Sequence, residues 1–484
     1  MNKIITVSLF SLLFGFSAQA AFLDSLILQF SYTKTQVDSV LNANGIPAAL
    51  VGTVYDIDIY KVRYNTVSYD SSAVFASGFL AFPSHVDCQF PLVSFGHGTT
   101  TSREGVPSRV QGGEAMIGII LASLGYVSTL PDYIGLGDCP PDLRHPYQDA
   151  ATEASATIDL LRATREAASI LHFRMNNQLF LSGYSQGGQT AMATHRRIQE
   201  SLSNEFTVTA SCPMSGAYDM SGVMVDLMLS DSVYQTPCYL PYIVFGYNQK
   251  YHFYTDPSEY MVAPYDSLLP LKFDGINGTG YLNSICPSVP KLIFKPDVID
   301  SFSNNPNHPF RVALAENDTY DWLPTSPMRM IFTRADEQVP WQNTVVAYNS
   351  FMSLGATNID TVCISETLDH YSAAQFAVAN MIEFFNGFRT IDSCLLTSIT
   401  DFKPIVSTSL YPNPATDQLS IITPNANAIV TLNAVNTIGQ SVSLPFSNKS
   451  DSIITSVKEL ANGIYLIKGT VAGRETIFGR FVKQ

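Results

Sequence analysis

The chain has 484 residues, of which 46% are hydrophobic and 14% are charged. This composition excludes an intrinsically disordered chain, and the length predicts two or three globular domains. Lysine and arginine number 27 against 41 aspartates and glutamates, and the net charge of −14 argues against partners such as nucleic acid or an anionic membrane surface.

The first twenty residues have the pattern of a secretory signal peptide. Lys3 precedes an apolar run from Ile4 to Phe16, and residues 18–20 (Ala-Gln-Ala) follow as a small-x-small cleavage site. We expect cleavage after residue 20. The run is shorter than the ~20 apolar residues that span a bilayer, and no later stretch is long enough, so we expect no transmembrane segment after signal cleavage.

Seven cysteines follow the predicted signal peptide. Export permits disulfides, and an odd number leaves at least one thiol unpaired. The closest-spaced candidate pairs are Cys363 with Cys394 and Cys238 with Cys286; the alternative is a set of buried apolar thiols. No cysteine or histidine cluster has the spacing of zinc ligands, so we expect no metal and no cofactor.

Between Phe90 and Phe388, short apolar runs alternate with amphipathic helical stretches. This alternation is typical of an α/β fold, in which helices cover a mostly parallel sheet. The predicted strands are Pro91–Phe95, Tyr126–Leu130, Leu179–Ser182, Thr207–Cys212, Met328–Phe332 and Thr361–Ile364. The predicted helices are Glu114–Leu124, Asp149–Leu171, Gln186–Leu202 and Tyr371–Gly387.

Two regions depart from this alternation. Residues 215–324 are rich in aromatic residues, proline and asparagine, and we interpret them as a cap or lid inserted into an α/β domain that spans residues 21–390. Residues 391–409 read as a linker. From residue 410 to residue 484, short alternating runs separated by turn residues predict a small β-sandwich.

The strand that starts at Leu179 runs into Gly183-Tyr184-Ser185-Gln186-Gly187 and then into a helix. A Gly-x-Ser-x-Gly between a strand and a helix is typical of a nucleophile elbow, in which the serine occupies a strained turn that tolerates only glycine at its close neighbours. Ser185 is therefore the predicted nucleophile.

A serine needs a base and an orienting acid, and in such a fold these follow it along the chain in the order acid, then histidine. His370 lies between the last predicted strand and the last helix and is the predicted base. Asp336 follows the strand Met328–Phe332 and is the predicted acid, with Glu337 as the second choice. Asp369 is a poor candidate, because neighbouring side chains in a turn diverge.

An acyl-transfer site also needs two N–H donors for the oxyanion. The backbone N–H of Gln186 is the first candidate. The second is Thr99, in the glycine-rich loop that follows the strand Pro91–Phe95. His97 in that loop has no partner at ligand spacing and is interpreted as a packed or loop-shaping histidine. Asp132, Tyr133 and residues 145–147 are expected to face the site or, more simply, to brace it.

Several motifs together resemble the secretory lipase family of α/β-hydrolases, to which the lipase-A type enzymes belong. They are SFGHGTTTSREGVPS (94–108), LPDYIGLG (130–137), the following HPY, the helix ATIDLLRATRE and GYSQGG, and the similarity covers about residues 50–390. The resemblance implies ester hydrolysis by a Ser185, Asp336, His370 triad. The family carries an acid where this chain has Thr99, and this departure bears on donor identity and substrate choice.

The C-terminal LYPNPATDQLSI, NGIYLIKG and RFVKQ resemble the type IX secretion sorting domain of Gram-negative bacteria, over about Leu410–Gln484. The resemblance implies a type IX secretion machinery as partner, passage through the outer membrane, removal of the domain, and release or attachment to the cell surface. A carbohydrate-binding β-module is the alternative.

We therefore expect a secreted lipase or esterase that forms an acyl-enzyme on its ester substrate. A serine peptidase or aminopeptidase of the same fold is the alternative, since the same triad cleaves amides. A binding protein with an inactive hydrolase fold is a third hypothesis, disfavoured by the complete set Ser185, Asp336 and His370. The sequence leaves open the acyl length, and with it the choice between lipase and short-chain esterase.

Overall fold

The computed structural model describes residues 21–111, 113–392, 394, 409–423, 426, 429–436, 440–449, 451–471 and 474–484. The predicted signal peptide (residues 1–20) and most of the predicted linker (391–409) lie outside the described residues. Contacts between residues divide the chain into two units, Met1–Leu395 and Leu396–Gln484.

The first unit is built on a nine-stranded sheet with the strand order β1-β2-β3-β5-β4-β6-β7-β8-β9. The strands are β1 (Leu23–Tyr32), β2 (Ile57–Val67), β3 (Ala73–Pro83), β4 (Gln89–Gly96), β5 (Val127–Pro131), β6 (Arg174–Tyr184), β7 (Val208–Met214), β8 (Met328–Thr333) and β9 (Ile359–Ser365). From β5 to β9 all neighbours pair in parallel, whereas β1, β2 and β3 pair antiparallel and β3 joins β5 antiparallel.

Helices connect the strands. Those of the core are α1 (Lys34–Ala43), α2 (Ala48–Val51), α3 (Gly113–Ser123), α4 (Ala150–Leu171), α5 (Gln186–Ser201), α12 (Gln342–Ser353) and α13 (His370–Asn386). Between β7 and β8 lie α6 (Val223–Leu229), α7 (Tyr239–Tyr251), α8 (Tyr265–Lys272), α9 (Thr279–Ile285), α10 (Pro296–Asn304) and α11 (Pro309–Ala315), in the stretch that the sequence marks as an insertion.

The apolar runs of the central strands follow from burial on both faces of the sheet. In β6, Phe180 packs into the cluster that includes residues of α3 and α13, whereas Leu179 and Leu181 pack into the cluster that includes residues of α4. Successive side chains of a strand point to opposite faces, so a strand covered on both sides is apolar throughout. A separate apolar cluster lies mostly within the insertion and also includes Tyr147 and Val339.

The predicted α/β fold with its mostly parallel, helix-covered sheet is confirmed. The antiparallel strands β1–β3 and the helix α12 were not predicted. Because β2 buries only alternate residues over much of its length, it lacks the continuous apolar run that marks the central strands.

Both guesses about disulfide pairing are wrong. Cys394 is bonded to Cys88, and Cys238, Cys286 and Cys363 are free thiols. After α13 the chain returns to the start of β4, where Gln89 and Asp392 exchange two backbone hydrogen bonds of 2.8 and 3.0 Å, and this return brings the two cysteines together.

The second unit consists of two four-stranded antiparallel sheets. The strands are β10 (Ser409–Tyr411), β11 (Gln418–Ile422), β12 (Ile429–Asn436), β13 (Ser441–Ser443), β14 (Phe446–Lys449), β15 (Ser452–Ser456), β16 (Gly463–Val471) and β17 (Arg474–Lys483). Leu419 and Ile421 of one sheet and Leu432, Ile467 and Phe481 of the other belong to one buried cluster, as expected for a sandwich. In the described part of the chain, no helix is long and apolar enough to cross a membrane.

Candidate active site

Ser185 lies in the sharp turn between β6 and α5. Its backbone has φ of +60° and ψ of −120°, a conformation that costs a non-glycine residue free energy and that clusters at functional sites. The turn is held by a hydrogen bond of 3.0 Å from the Ser185 N–H to the carbonyl oxygen of Met214 on β7. The side chain is buried, with 8% of the residue's surface exposed.

Two glycines make this turn sterically possible. A Cβ atom on Gly183 would lie 2.2 Å from the carbonyl oxygen of Gly187, and a Cβ on Gly187 would lie 1.9 Å from the carbonyl oxygen of Gly96. Both contacts are with backbone atoms, which cannot turn aside as the end of a flexible side chain can. The close approach of β4, β6 and α5 around Ser185 therefore requires glycine at positions 183 and 187, as the sequence motif predicts.

His370 and Asp336 form a buried pair at the same end of the sheet. Asp336 lies in the loop after β8, and its two carboxylate oxygens are 2.9 and 2.8 Å from Nδ1 of His370, the first residue of α13. The two side chains are 6% and 1% exposed. One oxygen of Asp336 also accepts hydrogen bonds from the backbone N–H groups of Gln338 and Val339, which fix the carboxylate. Because Nδ1–H donates to Asp336, Nε2 carries the lone pair that a base needs.

The other two acids near His370 bind backbone groups instead of the imidazole. Glu337 accepts a hydrogen bond of 2.9 Å from the backbone N–H of His370, and Asp369 caps α13 by accepting one of 2.7 Å from Ser372. Carboxylates at a helix N-terminus are favourable because of the unpaired N–H groups there. The structure thus places Asp336, and neither Glu337 nor Asp369, on the ring nitrogen.

Tyr184 ties the histidine to the nucleophile elbow. Its hydroxyl donates a hydrogen bond of 2.5 Å to the carbonyl oxygen of His370, and its ring lies 4.9 Å from the imidazole, centroid to centroid. Because Tyr184 directly precedes Ser185, these two contacts place the nucleophile elbow next to the residue that pairs with Asp336.

The loop after β4 lies beside Ser185. A Cβ on Gly98 would be 3.8 Å from the Cβ of Ser185. The N–H of Gly98 donates to both carboxylate oxygens of Glu114 on α3, at 2.9 and 2.8 Å, and desolvation by burial raises the pKa of Glu114. The hydroxyl of Thr99, the predicted donor residue, lies 2.8 Å from the hydroxyl of Tyr147. Glu114 had no signal in the sequence.

His97, Asp132 and Tyr133, which the sequence analysis also names, make packing and hydrogen-bond contacts with neighbouring loops. His97 stacks on Tyr133 with ring centroids 4.2 Å apart, and Tyr133 donates to the His97 carbonyl oxygen. Asp132 accepts hydrogen bonds from Ser77 and from the backbone of Ser108. Asp132 and Tyr133 thus brace the loop after β4, whereas Tyr147 contacts the site residue Thr99.

The other histidines after Ser185 contact neither the elbow nor the acid loop. The imidazole of His195 is buried against Trp322 and lies 2.9 Å from the Ser211 hydroxyl, and burial lowers its pKa to about 3. His252 and His308 flank helices of the insertion, α7 and α11. Among the described residues, no group of three His, Cys, Asp or Glu side chains could hold a metal ion.

The side chain of Gln186 contacts His145, one of the residues expected to face or brace the site, and Glu153, which the sequence analysis does not single out. Its amide nitrogen is 2.7 Å from Nε2 of His145 and 2.7 Å from a carboxylate oxygen of Glu153. Glu153 is 1% exposed and lies on the same stripe of α4 as Ala156 and Leu160. A carboxylate on the apolar stripe of α4 is the sequence feature that could have identified Glu153.

Comparisons with known proteins bear on both units. The C-terminal residues 409–484 match the family model of the secretion system C-terminal sorting domain. No curated protein sequence matches the chain.

Solved structures match the first unit. A protein of Legionella pneumophila described as a hydrolase is 30% identical, with a TM-score of 0.70, over 76% of this chain and 98% of that chain. The rice cell wall degrading esterase LipA from Xanthomonas oryzae is 28% identical, with a TM-score of 0.68, over 76% of this chain and 98% of that chain. Candida antarctica lipase A shares the fold at 13% identity, with a TM-score of 0.55, over 77% and 84% of the two chains.

Proposed function

We propose that this chain, which belongs to the lipase-A-like family of α/β-hydrolases, acts through an acyl-enzyme on Ser185. It is a carboxylic ester hydrolase, and its type IX secretion sorting domain makes it an exported protein, released or attached to the cell surface. His370 is the general base in this proposal and Asp336 the acid that orients it. The backbone N–H groups of Gln186 and Thr99 are the proposed oxyanion donors.

The reaction runs in two halves. Ser185 Oγ attacks the acyl carbonyl carbon while Nε2 of His370 takes the hydroxyl proton, and the carbonyl oxygen becomes an oxyanion held by the two N–H groups. His370 then gives the proton to the alkoxy oxygen as the C–O bond breaks, and the alcohol leaves. Water repeats the sequence on the acyl-enzyme: His370 takes its proton, and the acid departs as Ser185 Oγ regains a proton.

The observation that supports this proposal best is the buried contact between His370 and Asp336 next to a serine in a strained turn. A buried carboxylate within 2.9 Å of Nδ1 selects the tautomer in which Nε2 can accept a proton. A structural ion pair would not require Ser185 to adopt a φ of +60° one residue after a strand.

Hydrolysis of p-nitrophenyl esters of increasing acyl length, beside aminoacyl p-nitroanilides, tests the proposal. We expect Ser185→Ala to abolish ester turnover without changing the circular dichroism spectrum. Ser201→Ala is the matched control, because this exposed serine ends the same helix α5. Ester turnover that survives in Ser185→Ala contradicts the proposal, and turnover of anilides alone supports the peptidase alternative.

The substrate panel should also include an esterified plant cell wall polysaccharide, because the similar LipA is named as a cell wall degrading esterase. The chain-length optimum decides between lipase and short-chain esterase. An optimum at long acyl chains would assign the aromatic residues of the insertion to an acyl pocket, and an optimum at acetate or butyrate would assign them to the packing of a cap.

The domain limits are part of the proposal. We place the catalytic domain at residues 21–390 with its cap at about 215–324, a linker at 391–409 and the sorting domain at 410–484. The mass of the protein recovered outside the cell tests both processing sites: it should lack residues 1–20 and the sorting domain. A mature form that keeps residues 410–484 contradicts the proposed removal.

A further inference from the structure

A buried hydrogen-bond network surrounds the side chain of Gln186, the residue that follows Ser185. Its members come from three separate parts of the fold: His145 from the loop before α4, Glu153 from the first turns of α4, and Gln186 with Thr190 from α5. None of these four residues is more than 3% exposed. Polar groups buried this deeply cost free energy unless their hydrogen bonds are made, so the orientation of each group is constrained.

The imidazole of His145 fixes the orientation of the Gln186 amide. Its Nδ1 lies 2.7 Å from the carbonyl oxygen of Ile134, so Nδ1 carries the proton and donates it. Nε2 must then accept, and the group 2.7 Å away is the NH2 of Gln186. Burial lowers the pKa of His145 to about 3, so this arrangement persists at any physiological pH.

The second hydrogen of that NH2 goes to Glu153, at 2.7 Å. Glu153 Oε1 also accepts from the backbone N–H of Gln148 at 3.1 Å, and Oε2 lies 2.6 Å from the hydroxyl of Thr190. That hydroxyl is in turn 3.1 Å from the backbone carbonyl oxygen of Gln186. When Glu153 is neutral, its Oε2–H can donate to the Thr190 hydroxyl, and this hydroxyl can donate to the backbone carbonyl oxygen of Gln186. Glu153 then holds both the side chain and the backbone carbonyl group of Gln186.

An ionised Glu153 breaks this arrangement. The carboxylate accepts a hydrogen bond from the Thr190 hydroxyl. The single hydrogen of that hydroxyl is then no longer donated to the backbone carbonyl oxygen of Gln186. The carboxylate also places a negative charge beside the turn in which the ester oxyanion forms. Both changes disfavour the transition state.

We propose that Glu153 is a positioning residue that acts through the side chain and the backbone carbonyl group of Gln186. It orients the backbone N–H of Gln186, the proposed oxyanion donor next to Ser185. The inference rests on the proposed function, because Gln186 has a catalytic role only if Ser185 is the nucleophile. It adds to that function a residue that touches no reacting atom and a dependence of kcat on the protonation of Glu153.

Among the ionisable groups in this network and facing it, Glu153 is the one that we expect to change charge near neutral pH. Desolvation by burial raises its pKa to about 8. The same effect raises the pKa of each facing tyrosine, namely Tyr133 in the loop after β5 and Tyr242 and Tyr247 on α7. Asp149, the N-cap of α4, forms an ion pair of 2.6 Å with Lys250, and His145 stays neutral.

The test compares Glu153→Gln and Glu153→Met with the unmodified protein, by kcat and KM for a soluble p-nitrophenyl ester from pH 6 to pH 10. Glutamine copies the neutral acid, because its carbonyl oxygen accepts from Gln186 and its NH2 donates to Thr190. Methionine keeps the volume and removes every hydrogen bond. Asp159→Asn is the matched control: Asp159 is a second buried carboxylate of α4, bonded to Thr66 and Arg162 away from the elbow.

We expect kcat of the unmodified protein to fall about 10-fold through a step near pH 8, with KM unchanged. Glu153→Gln should keep the kcat of pH 7 and lose the step, Glu153→Met should lower kcat about 10-fold to 100-fold at pH 7, and Asp159→Asn should keep the step. A step that persists in Glu153→Gln, or that disappears in Asp159→Asn, overturns the inference, and so does an unchanged kcat in folded Glu153→Met.

Ser185→Ala, measured beside these variants, separates two kinds of failure. If Ser185→Ala loses turnover while the Glu153 variants behave like the unmodified protein, only this inference is wrong. If Ser185→Ala keeps turnover, the proposed function fails and the inference fails with it. If Glu153→Met does not fold, the pH profiles of Glu153→Gln and Asp159→Asn still decide the question.

Discussion

Breaking the disulfide between Cys88 and Cys394 should cost the catalytic unit a large part of its stability. The bond closes a loop whose ends are 306 residues apart in the sequence, and it holds the chain after α13 against the start of β4. Chain-entropy loss in the unfolded state grows with the logarithm of loop length, which for a loop of this size amounts to roughly 5 to 6 kcal/mol. This value is an upper limit, since residual structure in the unfolded state lowers it.

The perturbation is Cys394→Ser, and the assay is urea unfolding under non-reducing conditions. The chain has only two tryptophans, Trp322 and Trp341, so tryptophan fluorescence reports the first unit alone. Cys363→Ser is the matched control, because it removes a half-buried free thiol from β9. We expect the free energy of unfolding to fall by about 3 to 6 kcal/mol in Cys394→Ser and by less than about 1 kcal/mol in Cys363→Ser.

A double mutant makes the test stricter. Once one cysteine is gone the bond is gone, so Cys88→Ser together with Cys394→Ser should be no less stable than either single mutant. The stabilising role of the disulfide is refuted if Cys394→Ser unfolds at the same urea concentration as the unmodified protein. It is equally refuted if the two single effects add in the double mutant.

Three further predictions concern the site. Asp336→Asn should lower kcat about 10⁴-fold at pH 7 with little change in KM, because the histidine tautomer is lost, whereas Glu337→Gln should cost far less; steady-state ester kinetics measure both. Gly187→Ala should abolish activity and native circular dichroism, since its Cβ would lie 1.9 Å from a carbonyl oxygen of β4, while Gly278→Ala, with nothing within 4 Å, should change neither. Burial raises the pKa of Glu153 to about 8 in the folded protein, from 4.5 in the unfolded chain. The folded protein therefore keeps this proton to higher pH, and the free energy of unfolding should fall by at most about 5 kcal/mol as the pH rises from 4.5 to 8. Urea unfolding of Glu153→Gln should show a flatter pH dependence, and an unchanged slope would contradict this prediction.

The parts of the fold that were predicted are those where local pattern and tertiary burial agree. The helix predicted at Asp149–Leu171 is α4, with Asp149 as its N-cap, because its apolar stripe faces the sheet. The turn from β6 to α5 is predictable because the motif has glycine at positions 183 and 187, where a Cβ atom would collide with backbone atoms. In contrast, α12 is short and rich in Asn, Ser and Thr, residues that favour turns and caps in isolation.

The parts that were missed depend on long-range placement. The candidate partners of Cys394 were chosen by closeness in sequence, but loop-closure entropy grows so slowly with length that the fold, and not the spacing, decides the pairing. The contacts of Gln186 with His145 and Glu153 join residues 41 and 33 positions apart on different elements. No periodicity within one helix or strand encodes such a contact.

The proposed function depends on Ser185 as the nucleophile of an ester hydrolase. The most direct measurement is reaction of the intact protein with a fluorophosphonate, followed by intact-mass analysis and peptide mapping. We expect one adduct per chain, on the peptide that contains Ser185, formed in step with the loss of ester turnover and absent in Ser185→Ala. An adduct on a different residue, or full turnover in a protein labelled on Ser185, would contradict it.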